Sequence, residues 1–212
     1  MASTFRDIIK YNPYHDERGR FSSGPGASVG MGVGGAVAGG TRTQLESTLQ
    51  EVEAKNKGLD HEVATIVNPK TGKTIFSKEG GAAGVSFNSS EVREIRDQVL
   101  THNHPDSVIF SPSDVAMAYN LHTIRATTPD GKVYELSKVN NRNFVMDYRD
   151  KYMAARAESF QKLGIPENTF DRDLKGEQRT GSFSHISETC GKWLSENSGK
   201  YGYEYREIEK GC

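Results

Sequence analysis

The chain has 212 residues, with 27 Lys and Arg against 28 Asp and Glu, and its net charge of −1 argues against a protein built around bulk attraction to nucleic acid. Two cysteines, Cys190 and Cys212, exclude a disulfide framework and a thiolate metal cluster and fit a reducing, cytoplasmic compartment. No apolar run is long enough to span a membrane, and Met1 to Lys10 lacks the apolar centre of a secretion signal, so no membrane partner is expected.

Residues 1–21 are polar and carry the stretch Tyr11-Asn12-Pro13-Tyr14-His15-Asp16-Glu17-Arg18-Gly19-Arg20-Phe21. This stretch resembles a short segment common in phage head-morphogenesis and related mobile-element proteins. The resemblance implies a tail that docks on a phage or mobile-element partner, with His15 and Asp16 belonging to that tail and not to a metal site. From Ser22 to Thr41 glycines are interspersed with small residues. No strand precedes this run and no Gly-Lys-Ser/Thr closes it, so it reads as a flexible linker and not as a phosphate loop. A single folded domain is therefore expected over residues 42–212.

Within the domain, Leu45, Leu49 and Val52 recur at helical spacing between Thr43 and Lys57, with Gly58 as the cap. Glu62 to Val67 and Thr74 to Ser77 read as a hairpin around Asn68-Pro69-Lys70-Thr71-Gly72-Lys73. A loop at Gly80–Gly84 leads to a short extended piece, Val85-Ser86-Phe87, and Asn88 with Glu91 caps a helix carrying Val92 and Ile95. Val99-Leu100 begins the next strand. Beyond residue 111 the pattern predicts a helix with Val115, Met117, Ala118 and Leu121 on one face. A hairpin of 123–127 with 132–136 follows, then a long helix from Phe144 to Leu163. Asp171 to Gly181 is polar enough for a loop, His185 to Ser195 reads as a final helix, and Tyr201 to Tyr205 as an edge strand.

The chemistry concentrates between Thr101 and Asp114. In an extended segment residues two apart share a side, so His102 and His104 converge while Asn103 faces away. Ser111-Pro112-Ser113-Asp114 reads as a helix start, with Ser111 as N-cap, Pro112 at the first helical position and Asp114 closing an acidic capping box. That placement aims the Asp114 carboxylate back at the strand end. His102, His104 and Asp114 would then hold one zinc ion and leave its fourth position to water. Thr101 and Asn103 are placed to make supporting bonds behind the ligands. His61 points away from the site, and His122, His185 and Cys190 are not read as ligands.

His102-Asn103-His104-Pro105 followed by Ser111 and Asp114 resembles the JAMM (MPN-type) metallopeptidase motif, most closely the His-Asn-His-Pro version of RadC-like and phage-borne members. One departure is the loop between His104 and Ser111, six residues where better-known members have seven, as in many phage-type relatives. The resemblance implies an α/β (α+β) fold with a mixed, mostly antiparallel sheet flanked by helices, a JAMM and cytidine-deaminase-like core. It implies an acid/base glutamate on an early strand, a position that Glu62 fills; Glu79 is the alternative, in a surface loop beside Gly80-Gly81, and Glu51 and Glu53 fall on the polar face of the first helix. It also implies a Ser111 hydroxyl that steadies an oxyanion. The implied activity is hydrolysis of amide or isopeptide bonds in a protein or peptide substrate, including ubiquitin-like conjugates or phage and host proteins, in a bacterial host cytoplasm or associated with a virion. Two other readings stay open: a phage virion or assembly protein that uses the fold for binding, and a metal-dependent nuclease.

Overall fold

The computed structural model describes residues 38–81 and 84–209. The tail over 1–21, the glycine-rich run up to residue 37 and Cys212 lie outside them. The chain forms α1 (Ala38–Asn56), β1 (Val63–Val67), β2 (Thr74–Glu79), α2 (Ser89–Glu94), β3 (Val99–Asn103), α3 (Pro112–Ala118), β4 (Thr123–Thr127) and β5 (Lys132–Ser137). Then come α4 (Arg142–Lys162), a 3-10 turn (Asp171–Asp173), α5 (Gly176–Tyr201) and β6 (Glu204–Glu209). The strands make one six-stranded sheet in the order β2-β1-β3-β4-β5-β6. Every neighbouring pair is antiparallel except β3 with β4, whose connection passes through α3. The fold is thus α+β, with a mixed, mostly antiparallel sheet flanked by helices.

Alternation along the strands decides what each face of the sheet meets. Ala64, Ile66, Leu100, Ile124, Ala126, Tyr134 and Leu136 project to one side and form the main core with Val115 of α3, Phe144 and Tyr148 of α4, and Ile186 and Leu194 of α5. Val67 and Val99 project to the other side, where Leu45 and Leu49 of α1 cover them. Between these apolar contacts α1 is held by charge. Arg125 of β4 is buried and pairs with Glu46 and Glu53 of α1 and with Glu135 of β5, and Thr101 donates to Glu53 at 3.2 Å. Burial alone would lower the Arg125 pKa, but the three carboxylates outweigh it and hold the guanidinium charged.

The structure departs from the sequence pattern in several places. Helix α1 begins at Ala38, ahead of the expected domain start, and takes in Gly39 and Gly40. Residues 85–87 form no strand, although Val85 and Phe87 pack against the core. The expected loop at 171–181 is a 3-10 turn followed by the first turns of α5, which runs from 176 to 201 and not from 185 to 195. Its opening, Glu177-Gln178-Arg179-Thr180-Gly181, has no apolar period to read, and tertiary contacts hold it: Ser182 hydrogen-bonds Ser159 of α4 at 2.8 Å, and Phe183 is buried. The helix ends where Gly202 takes φ +76 and donates to the Ser198 carbonyl. Consequently the last strand starts at Glu204, three residues beyond the expected Tyr201.

Candidate metal centre

Strand β3 carries His102 near its end and continues extended to His104, so both imidazoles emerge on the core side of the sheet. Their Nε2 atoms lie 2.9 Å apart. Ser111 caps α3 by accepting the Asp114 N–H at 3.2 Å, and Asp114 Oδ2 accepts the Ser111 N–H at 2.7 Å. This reciprocal pair fixes the carboxylate, with Oδ1 3.5 Å from His102 Nε2 and Oδ2 3.5 Å from His104 Nε2. One ligand atom from each residue can be chosen so that all three lie within 4.8 Å of one another. Both imidazoles are about 5% exposed and the Asp114 side chain is 20% exposed, so the site opens to solvent on its carboxylate side.

Proton placement follows from the neighbours. His104 Nδ1 sits 2.7 Å from the Val108 carbonyl, which can only accept, so Nδ1 carries the proton and Nε2 turns a lone pair inward. His102 Nδ1 is buried without a hydrogen-bond partner among the described residues, so no neighbour there holds the ring's proton away from Nε2 or on it. With the two Nε2 atoms 2.9 Å apart beside a carboxylate, a proton or a cation must lie between the rings. Burial would lower the His104 pKa, yet the hydrogen bond and charge of Asp114 raise it to about 9. Burial likewise pushes the Asp114 carboxyl upward, and the two imidazoles more than reverse it, holding Asp114 well below the usual carboxylate range.

The six-residue loop from Pro105 to Phe110 is pinned from several directions. The Thr127 carbonyl accepts the His104 N–H at 2.8 Å. Arg179 of α5 grips the Asp106 carboxylate with Nε at 2.7 Å and Nη2 at 2.5 Å, and Ser187 Oγ accepts the Ile109 N–H at 3.0 Å. From α4, the buried Tyr148 hydroxyl donates to the Phe110 carbonyl at 2.5 Å, next to the cap. None of these supports was anticipated from the sequence. Tyr148 was readable only as one member of an aromatic packing stripe, and Arg179 falls in the stretch taken for a loop.

Glu62 stands just ahead of β1. Ala64 lies opposite His102 in the antiparallel pair, so two residues further along the same register Glu62 comes opposite His104 on the same face. Its backbone is held by Gly80 and Gly81, since Glu62 N donates to the Gly81 carbonyl at 2.9 Å and Gly80 N to the Glu62 carbonyl at 2.8 Å. Burial raises the Glu62 pKa, opposed by the charges of His102 and His104 and reinforced by Asp114. All three candidate ligands therefore lie within electrostatic reach of this carboxyl. The other acids are placed elsewhere. Glu79 pairs with Val63 and so projects from the opposite face, Glu51 is exposed on α1, and Glu53 is not on a solvated helix face but buried with Arg125 and Thr101. His61 faces away and pairs with Asp60.

The site is a buried His-His-Asp group in an α+β protein, with one further carboxyl beside it and an open edge. Two imidazole nitrogens and a carboxylate oxygen suit a borderline divalent ion, and the three atoms converge closely enough around one point, so the residues can hold a metal. Compared with known proteins, the chain matches no family model, no curated protein and no solved structure. Among the described residues no helix is long and apolar enough to cross a membrane.

Proposed function

We propose that the protein is a zinc-dependent hydrolase of amide or isopeptide bonds in protein or peptide substrates. The observation that carries this reading is the convergence of His102 Nε2, His104 Nε2 and Asp114, with the half-buried Glu62 carboxyl within electrostatic reach of all three. The likeness of His102-Asn103-His104-Pro105, Ser111 and Asp114 to the JAMM motif supports it further.

When bound, zinc would supply Lewis-acid polarisation of the scissile carbonyl and a water acidified toward neutral pH. The chain's own residues do the rest. Glu62, its pKa raised by burial, is matched to taking a proton from the attacking water and passing it to the leaving nitrogen as the carbon–nitrogen bond breaks. Ser111 Oγ accepts the Asp114 N–H, so its own proton remains available to donate to the carbonyl oxygen as charge develops there. A cavity of about 680 Å³ reaches the loop after His104 through Pro105, Asp106 and Ser107, while Glu62, His102, His104, Ser111 and Asp114 do not line it.

Two measurements test this together. Elemental analysis is expected to find one zinc per chain in the wild type and none in His102→Ala. A panel of isopeptide-linked conjugates and peptides, with DNA in parallel, is expected to show cleavage of the former that Glu62→Ala reduces to a small residual rate. Bound zinc with no cleavage would favour a binding or assembly role, and Glu62-dependent cutting of DNA alone would overturn the peptidase reading.

A further inference from the structure

Glu62 poses a mechanical problem, because it lies beyond the last backbone pair between β1 and β3, which is Ala64 with His102. On the β2 side its own N–H and carbonyl are bonded to Gly81 and Gly80. On the β3 side the groups that need partners belong to its neighbours, the His61 carbonyl and the Val63 N–H. The Asn103 side chain meets both. Its Oδ1 accepts the Val63 N–H at 2.8 Å, and its Nδ2 donates to the His61 carbonyl at 2.8 Å. Asn103 is buried, and these two bonds stand where two ladder bonds would have continued the sheet.

We propose that Asn103 is the positioning residue for Glu62, clamping the peptide units on either side of it so that its carboxyl is held over the site formed by His102, His104 and Asp114. The inference rests on the reading of Glu62 as the proton carrier. One carboxamide does this because it offers an acceptor and a donor on a single short, planar group. Aspartate supplies no donor for the His61 carbonyl, and serine does not span both peptide units. The position between the two histidines thus sets the distance between ligands and base, although its side chain leaves the strand on the face opposite to them.

Asn103→Ala tests the clamp by amide hydrogen exchange and by kinetics on the full chain. Protection of the Val63 amide is expected to be lost while Thr65 and Ile66 stay protected. Zinc content and KM are expected to stay near wild type, and kcat to fall about 10- to 100-fold, the range for residues that orient a catalytic group. In a Glu62→Ala background the same change should cost nothing further, because no carboxyl remains to be positioned. If Asn103→Ala fails to fold, Asn103→Asp serves, since it keeps the acceptor for Val63 and lacks the donor to His61; an intermediate kcat loss is expected. In Asn103→Ala, a Val63 amide as protected as in wild type would overturn the clamp, as would, in either variant, a wild-type kcat or a full additional loss in the Glu62→Ala background. The exchange measurement decides this whether or not the wild type cleaves a conjugate, while zinc content and Glu62 dependence judge the proposed function separately.

Discussion

His104 faces two claimants for one lone pair, a proton and a cation. Its pKa of about 9 in the ion-free site means that below this value a proton must leave before a metal can bind. Zinc affinity is therefore expected to rise about tenfold per pH unit up to about 9 and then level off. Competition titrations across pH read this slope, and a flat profile would contradict it. The linked stability has the opposite sign. In the ion-free protein the folded pKa lies above the usual 6.5, so protonated His104 stabilises the fold at acid pH, and that contribution is lost as pH rises through about 9. Tyr148 gives a second residue-level expectation. Its hydroxyl is the donor to the buried Phe110 carbonyl, and Tyr148→Phe should cost about 1–3 kcal/mol by stranding that acceptor. Urea unfolding measures it, and an unmoved midpoint would mean that the bond contributes nothing. Of the site itself, the His102–His104 pairing and the cap placing Asp114 were legible, because strand alternation and helix capping are local rules. Glu62 was only nameable by likeness, since its position opposite His104 depends on a register between strands some forty residues apart, the separation spanned by the Val63–Asn103 bond.

At the level of elements, β1 and β3 to β5 were readable because they alternate or run apolar, and both connecting hairpins carry turn residues between them. The opening of α5 and the bounds of β6 were not, since the helix starts in a polar stretch and the strand, expected at the edge from Tyr201 to Tyr205, reads Glu-Tyr-Arg-Glu-Ile-Glu with little apolar content. Contacts made late in the chain decide both. The packing of α1 is likewise invisible in its amphipathic pattern, because Glu53 looks solvated and is in fact buried against Arg125. Arg125→Ala would leave Glu53 and Glu135 buried without their cation, and a loss of about 3–5 kcal/mol is expected. Glu46→Ala should cost within about 1 kcal/mol, because Glu46 is 44% exposed and screened by water. Chemical denaturation separates the two variants, and equal losses would show that the buried members carry no special weight.

For the whole molecule, a metal that binds the folded chain and not the unfolded one raises stability by mass action. Free zinc at 100 times its dissociation constant should add about 2.7 kcal/mol, visible as a higher Tm that His102→Ala abolishes. An identical zinc response in that variant would place the ion elsewhere. The layout has another consequence, which lies in the order of synthesis. The three candidate ligands fall within one short stretch, but the Arg179 and Ser187 bonds that brace the intervening loop come from 73 and 78 residues downstream. A ribosome thus exposes all three candidate ligands well before it has made the helix that stiffens the turn between them. Until α5 emerges and docks, the nascent polypeptide carries all three candidate donors without the brace that fixes their spacing, so any ion the site takes up would be held firmly only late in folding.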